Sequence, residues 1–218
     1  NLRTASVVAF YYVPQRITSM ITSVLFSLFN SLYPRMVARE QSVPVPTART
    51  SNQIMLESTR LQLTLAGSCF FGCALAGPSF LAKWMDPSFA ANTQSCLFFL
   101  CGIGLAQTAR YMPGARVGMD KKRMKLAAAA SAFSAIVSVA LAIIAGKSHG
   151  PSGIAGGYLA GEIVLSALIC IIAAGMLTDR KEFLFLLARW IVLSTALLTG
   201  AFLLQPFLFP VLTWTGIA

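Results

Sequence analysis

Of the 218 residues, 56% are hydrophobic and only 11% charged, with a mean hydropathy of +0.72, which lies outside the range of soluble globular domains. A net charge of +10 would suggest nucleic acid as a partner in a soluble chain, but here the cations fall between long apolar runs, where they orient membrane spans. Nucleic-acid binding is set aside, and the chain reads as an all-α polytopic membrane protein.

Stretches without Asp, Glu, Lys or Arg cover 61–82, 87–109, 126–146, 163–178 and 190–218. A hydrocarbon core of about 30 Å needs about 20 helical residues. With the opening segment, these runs predict six spans, near 5–34, 61–82, 91–111, 125–146, 153–177 and 183–205. The loops alternate in charge. Arg35, Arg39, Arg49 and Arg60 fall in the first, Arg110, Arg116, Lys121, Lys122, Arg123 and Lys125 in the third, and Arg180, Lys181 and Arg189 around the fifth; only Arg3, Lys83 and Lys147 flank the other side. That alternation places the basic loops in the cytoplasm and Asn1 outside. Asn1 stands where an initiator methionine would, and the sequence stays apolar to its last residue, as in a portion of a longer chain.

The first span carries an arginine at its middle. At about 100° per residue, Tyr12, Arg16, Ser19, Ser23, Ser27 and Asn30 fall within an arc of roughly 80°, while Val24, Leu25, Phe29 and Leu32 lie off it. A cation at that depth costs several kcal/mol unless it meets an anion, a carbonyl or water, so the stripe should face a bundle interior or an aqueous cavity. Pro14 removes a backbone hydrogen bond beside Arg16 and should kink or loosen the helix. The span should end at Tyr33-Pro34-Arg35. A Pro- and Ser-containing connection then leads to a helix start near Ser51, where Glu57 and Arg60, three apart, suit a pair on one face.

The second span holds Gly67, Gly72 and Gly77, and Lys83, Trp84 and Asp86 mark its outer interface. The third ends with Gln107, Arg110 and Tyr111 ahead of a basic loop, MPGARVGMDKKRMK. The fourth is rich in Ala and Ser. In the fifth, Gly153, Gly157 and Gly161 recur every four residues, a pattern that lets helix backbones approach closely. Tyr158, Glu162 and Ser166 form a second stripe about 100° away, and Glu162 is the one acid well inside a span. The sixth begins with Arg189-Trp190 near the basic side. The five cysteines, 69, 73, 96, 101 and 170, all fall within spans and read as packing residues.

Arg16 and Glu162 both lie roughly 14 to 18 Å from the outer ends of their spans, so they can meet. One reading has Arg16 binding an anionic substrate while Glu162 partners it or carries a coupling proton or cation; the other has a buried pair that fixes helix orientation. Gly146-Lys147-Ser148 is not a phosphate loop, since Leu141 replaces its first glycine. His149 has no nucleophile or carboxylate constellation around it. No cofactor, metal or catalytic motif is read.

The run YYVPQRITSMITSVLFSLFNSLYPRMV, followed by a span, the basic loop VGMDKKRMK, another span and GPSGIAGGYLAGE, resembles the second lobe of bacterial polysaccharide flippases, the O-antigen type among them. These belong to the multidrug, oligosaccharidyl-lipid and polysaccharide exporter superfamily. The resemblance implies most of one lobe of a two-lobe inner-membrane bundle around a cationic cavity. It implies a polyprenyl-diphosphate-linked oligosaccharide substrate of lipopolysaccharide or exopolysaccharide synthesis, and glycan polymerase or glycosyltransferases as partners. Arg16, Gln15, Tyr12, Ser19, Ser23 and Asn30 would then contact substrate, and Arg35, Gln107 and Arg110 would lie at the cytoplasmic entrance. The alternatives are a cation-coupled multidrug exporter of the same superfamily and a membrane-embedded enzyme acting on lipid-linked sugars.

Overall fold

The computed structural model describes residues 2–34, 37–38, 51–177 and 180–214, and all regular structure among them is helical. Five long helices are seen among the described residues: α1 (Leu2–Asn30), α2 (Ser51–Trp84), α3 (Pro87–Gly118), α4 (Lys121–Ala174) and α5 (Arg180–Trp214). The last four are long and apolar enough to cross a membrane. Gln15, Arg16 and the row of serines dilute α1, which is not among them. Phe133, Ile136, Val139, Ile143 and Ile144 of α4 all stand exposed. Such a surface suits lipid rather than water, and the chain is a membrane protein.

At 54 residues α4 would be about 81 Å long if straight, far more than one crossing requires. It folds back on itself at Gly150, whose φ of 60° and ψ of −136° suit a residue without Cβ, and Pro151 opens the returning arm. The bend at Gly150 takes the place of the predicted outer loop around Lys147 and His149. The two arms, 121–149 and 151–174, lie in contact along the glycine row. A Cβ at Gly153 or Gly157 would collide with the backbone of Ala145 or Ala142, and one at Gly161 with Ser138. Ser134 Oγ donates to the Gly161 carbonyl at 2.7 Å, closing the middle of the hairpin. At its base Asp120 caps the first arm through the Lys122 and Arg123 amides, while Arg123 Nη1 and Nη2 donate to the Ile172 and Gly175 carbonyls at 2.8 and 3.1 Å. One arginine thereby satisfies two carbonyls at a helix C-terminus, where a cation is favoured.

Helix α3 lies at the centre, packed against α1, α2 and α4. Its Asp86 cap accepts from the Ser88 and Phe89 amides and from the Ser88 hydroxyl. The Ser88 hydroxyl and amide bonds hold that carboxyl below its usual range. The third span was expected to end at 111, yet α3 continues through Pro113 to Gly118. Met112, Pro113, Arg116 and Val117 are buried there, so tertiary packing outweighs the lost proline hydrogen bond, and the basic loop shortens to a tight turn. Pro14 likewise sits buried within α1, which runs without a break from Leu2 to Asn30.

Helix α5 leans mainly on α2, joined by Trp190 Nε1 donating to the Leu63 carbonyl at 3.1 Å and by an Arg60–Glu182 ion pair. The structure therefore gives Arg60 a partner on α5, a contact between distant segments that the sequence reading did not anticipate. The contacts place the α3–α4 turn and the start of α5 at one end of the bundle, and the α2–α3 turn and Gly150 at the other. Lys121, Lys122, Lys125, Arg180 and Lys181 gather at the first end, and Lys83 and Lys147 at the second.

Candidate functional site

Helix α1 has two unlike faces. Pro14, Thr18, Thr22, Leu25 and Phe29 are buried against the bundle. The Thr18 and Thr22 hydroxyls fit there because each donates back to a carbonyl of the preceding turn, Thr18 to Pro14 at 3.1 Å and Thr22 to Thr18 at 2.9 Å. The opposite side carries Tyr12, Gln15, Arg16, Ser19, Ser23, Ser27 and Asn30, all exposed. The stripe is thus not turned into the interior of the described bundle. Met20, Val24 and Leu28 stand exposed beside it, so the outward surface of α1 pairs a polar strip with an apolar one.

The serines of the stripe are spoken for as donors. Ser19 Oγ donates to the Arg16 carbonyl at 2.9 Å, and Ser23 and Ser27 each donate one turn back at 2.8 Å. Their lone pairs remain directed outward, so this row accepts hydrogen bonds, while Arg16 and the amides of Gln15 and Asn30 donate them. The face therefore joins a donor region at mid-helix to a ladder of acceptors.

Contacts with α3 extend this polarity sideways. Phe10 meets Phe89 with ring centroids 5.2 Å apart, and Phe26 stacks on Tyr111 at 4.3 Å, so α1 and α3 run parallel. The Tyr111 hydroxyl bonds Asn30 Oδ1. One residue earlier on α3, Arg110 reaches Glu162 on the returning arm of α4, its Nε and Nη2 both on Oε2 at 3.2 and 2.8 Å. Gln107 Nε2 donates to Glu162 Oε1 at 3.2 Å. Both side chains of the ion pair are largely shielded, at 29% and 19% exposed. Nearby, the Ser166 hydroxyl donates to the Ala106 carbonyl at 2.7 Å, fixing the register of the two helices.

Arg16 and Glu162 do lie at similar levels. Tyr11 packs on Cys96, Leu100 and Ala155. Measured from that layer, Arg16 is about 7.5 Å and Glu162 about 10.5 Å further along the bundle. The structure nevertheless pairs Glu162 with Arg110 and Gln107, not with Arg16. Gln107 and Arg110, expected at an entrance, thus both bond Glu162, and the Arg16 side chain is left on the exposed face. Arg35, the third residue expected at the entrance, lies outside the described residues. Tyr158 is exposed and Ser166 buried, so the second stripe turns from surface to interior as it descends.

The sequence reading missed the seam itself, formed where α1 and the returning arm of α4 lie side by side on α3. Its floor holds Gln107, Arg110 and Tyr111, and the α1 stripe and Glu162 edge it. Among known proteins, the chain matches no family model, and no curated protein or solved structure shows significant similarity to it.

Proposed function

We propose that the chain lines the polar cavity of a bacterial inner-membrane transporter that moves a polyprenyl-diphosphate-linked oligosaccharide by alternating access. The observation that carries this reading is the exposed polar face of α1, with Arg16 at its middle, continuing onto Gln107, Arg110 and Glu162. In a membrane such a face needs water or a polar ligand. A guanidinium offers forked donors to a diphosphate, and the serine ladder offers acceptors to sugar hydroxyls. On this reading α1 crosses as well and the two arms of α4 cross separately, for six crossings in all, with the basic end in the cytoplasm by the positive-inside rule. A second wall across the seam would complete the cavity and move against this one.

The cation-coupled exporter reading makes Glu162 rather than Arg16 the essential residue; in the structure Arg110 and Gln107 already engage that carboxylate. In cells relying on the intact protein, Arg16→Ala is expected to abolish surface polysaccharide while membrane abundance stays normal, and Arg16→Lys to restore it only in part. Undiminished export by Arg16→Ala would overturn the proposal.

A further inference from the structure

We propose that a second site, on the far side of α3 from α1, holds an acyl chain of an anionic phospholipid. A groove of about 580 Å³ runs between α3, the returning arm of α4 and α5. On α5 it is lined by Leu184, Leu187, Ile191, Ser194, Thr195 and Leu198, which recur at helical spacing and form one face. From Leu184 to Thr199, the last of its α5 residues, the groove extends about 22 Å. That is more than half of a hydrocarbon core of about 30 Å, enough for one chain laid along the helix from the level of the head groups. In lipid such a cleft does not stay empty, and its wall is almost wholly apolar: Gly102, Leu105 and Ala106 face it from α3, and Leu159 and Ile163 from α4.

The head group is argued from charge. Arg180 lies one turn before Leu184 on the same helical face, and Lys181 lies at the edge of that face; both are exposed. They stand where the groove meets the basic end of the bundle. The remaining charges of this helix segregate to the other side, where Glu182 pairs with Arg60 and Arg189 lines a separate pocket. The groove thus has an apolar trough and a cationic mouth, the complement of a phospholipid bearing a net negative head group. The site depends on the chain's being a membrane protein and not on what it transports.

Trp190 lines the groove and serves as the reporter. In the full-length protein with every tryptophan but Trp190 replaced by phenylalanine, acyl-brominated phosphatidylglycerol or phosphatidylcholine is titrated into phosphatidylcholine vesicles and Trp190 quenching is followed. The phosphatidylglycerol is expected to quench at a mole fraction lower by about fivefold to thirtyfold, the weight of one to two basic residues at a phospholipid head group. Arg180→Gln with Lys181→Gln should bring the two lipids together, and Ala188→Phe, which fills the groove, should weaken quenching by both. Equal quenching in the parent protein overturns the proposal, as does a preference that survives loss of both cations or quenching unmoved by Ala188→Phe. Binding that fails here while glycan export still depends on Arg16 would sink this site alone.

Discussion

At the scale of single residues, the pairing of Arg110 with Glu162 shows how a shielded charge chooses its partner. Side chains on a helix lean toward its N-terminus, so Arg110 reaches back toward the level of Glu162 even though its Cα lies nearer the basic end. Counting depth from Cα positions brought Arg16 and Glu162 level and overlooked this lean. Removing one member of a shielded pair costs more than the pair contributes, because the other is left without compensation. Arg110→Ala is therefore expected to destabilise the protein by about 2–3 kcal/mol, with Gln107 alone left on the carboxylate. Adding Glu162→Ala should recover at least about 1 kcal/mol of that loss. Thermal unfolding in detergent of the two single variants and the double variant gives the coupling directly. Strict additivity would mean that the two side chains do not interact as the geometry indicates.

At the scale of elements, the α4 hairpin is the part most plainly written in the sequence. Charge-free runs of membrane length exposed both arms with a short loop between them, and the four-residue glycine spacing named the close-packing face of the returning arm. The end of α3 was less legible, because Pro113-Gly114 has the chemistry of a loop and only the burial of Met112 and Val117 against other helices keeps it helical. The seam could not be read at all, since which helices lie side by side is decided by packing between distant segments. Glycines in the hairpin and elsewhere should respond oppositely to the same change. A methyl group at Gly157 meets backbone atoms, whereas one at Gly72 meets nothing within 4 Å. Gly157→Ala is expected to cost about 1–3 kcal/mol by forcing the arms apart, and Gly72→Ala to be neutral or stabilising by up to about 1 kcal/mol from helix propensity. Melting temperatures of the two variants test this, and a Gly157→Ala protein as stable as its parent would mean that the arms are not held in close contact.

At the scale of the whole molecule, the bundle presents two surfaces that a membrane must treat differently. The first arm of α4 exposes Phe133, Ile136 and Val139, which suit lipid, whereas α1 exposes Arg16 and its serines in the same overall structure. If the α1 face looks into water, a thiol placed there ionises and meets a charged reagent; in hydrocarbon the thiolate does not form and the reagent is excluded. Cys96, Cys101 and Cys170 are buried, so a background lacking only Cys69 and Cys73 should be quiet. In that background Ser19→Cys and Ser23→Cys are expected to react with a charged methanethiosulfonate in intact membranes, while Ile136→Cys and Val139→Cys stay unlabelled until detergent is added. Bound substrate should slow the reaction at Ser19→Cys and Ser23→Cys, since these positions adjoin Arg16. Were the two serine positions as silent as the two on α4, the polar stripe would be sealed from water, Arg16 would have no aqueous cavity to face, and a path for a charged, hydrated cargo along α1 could not exist.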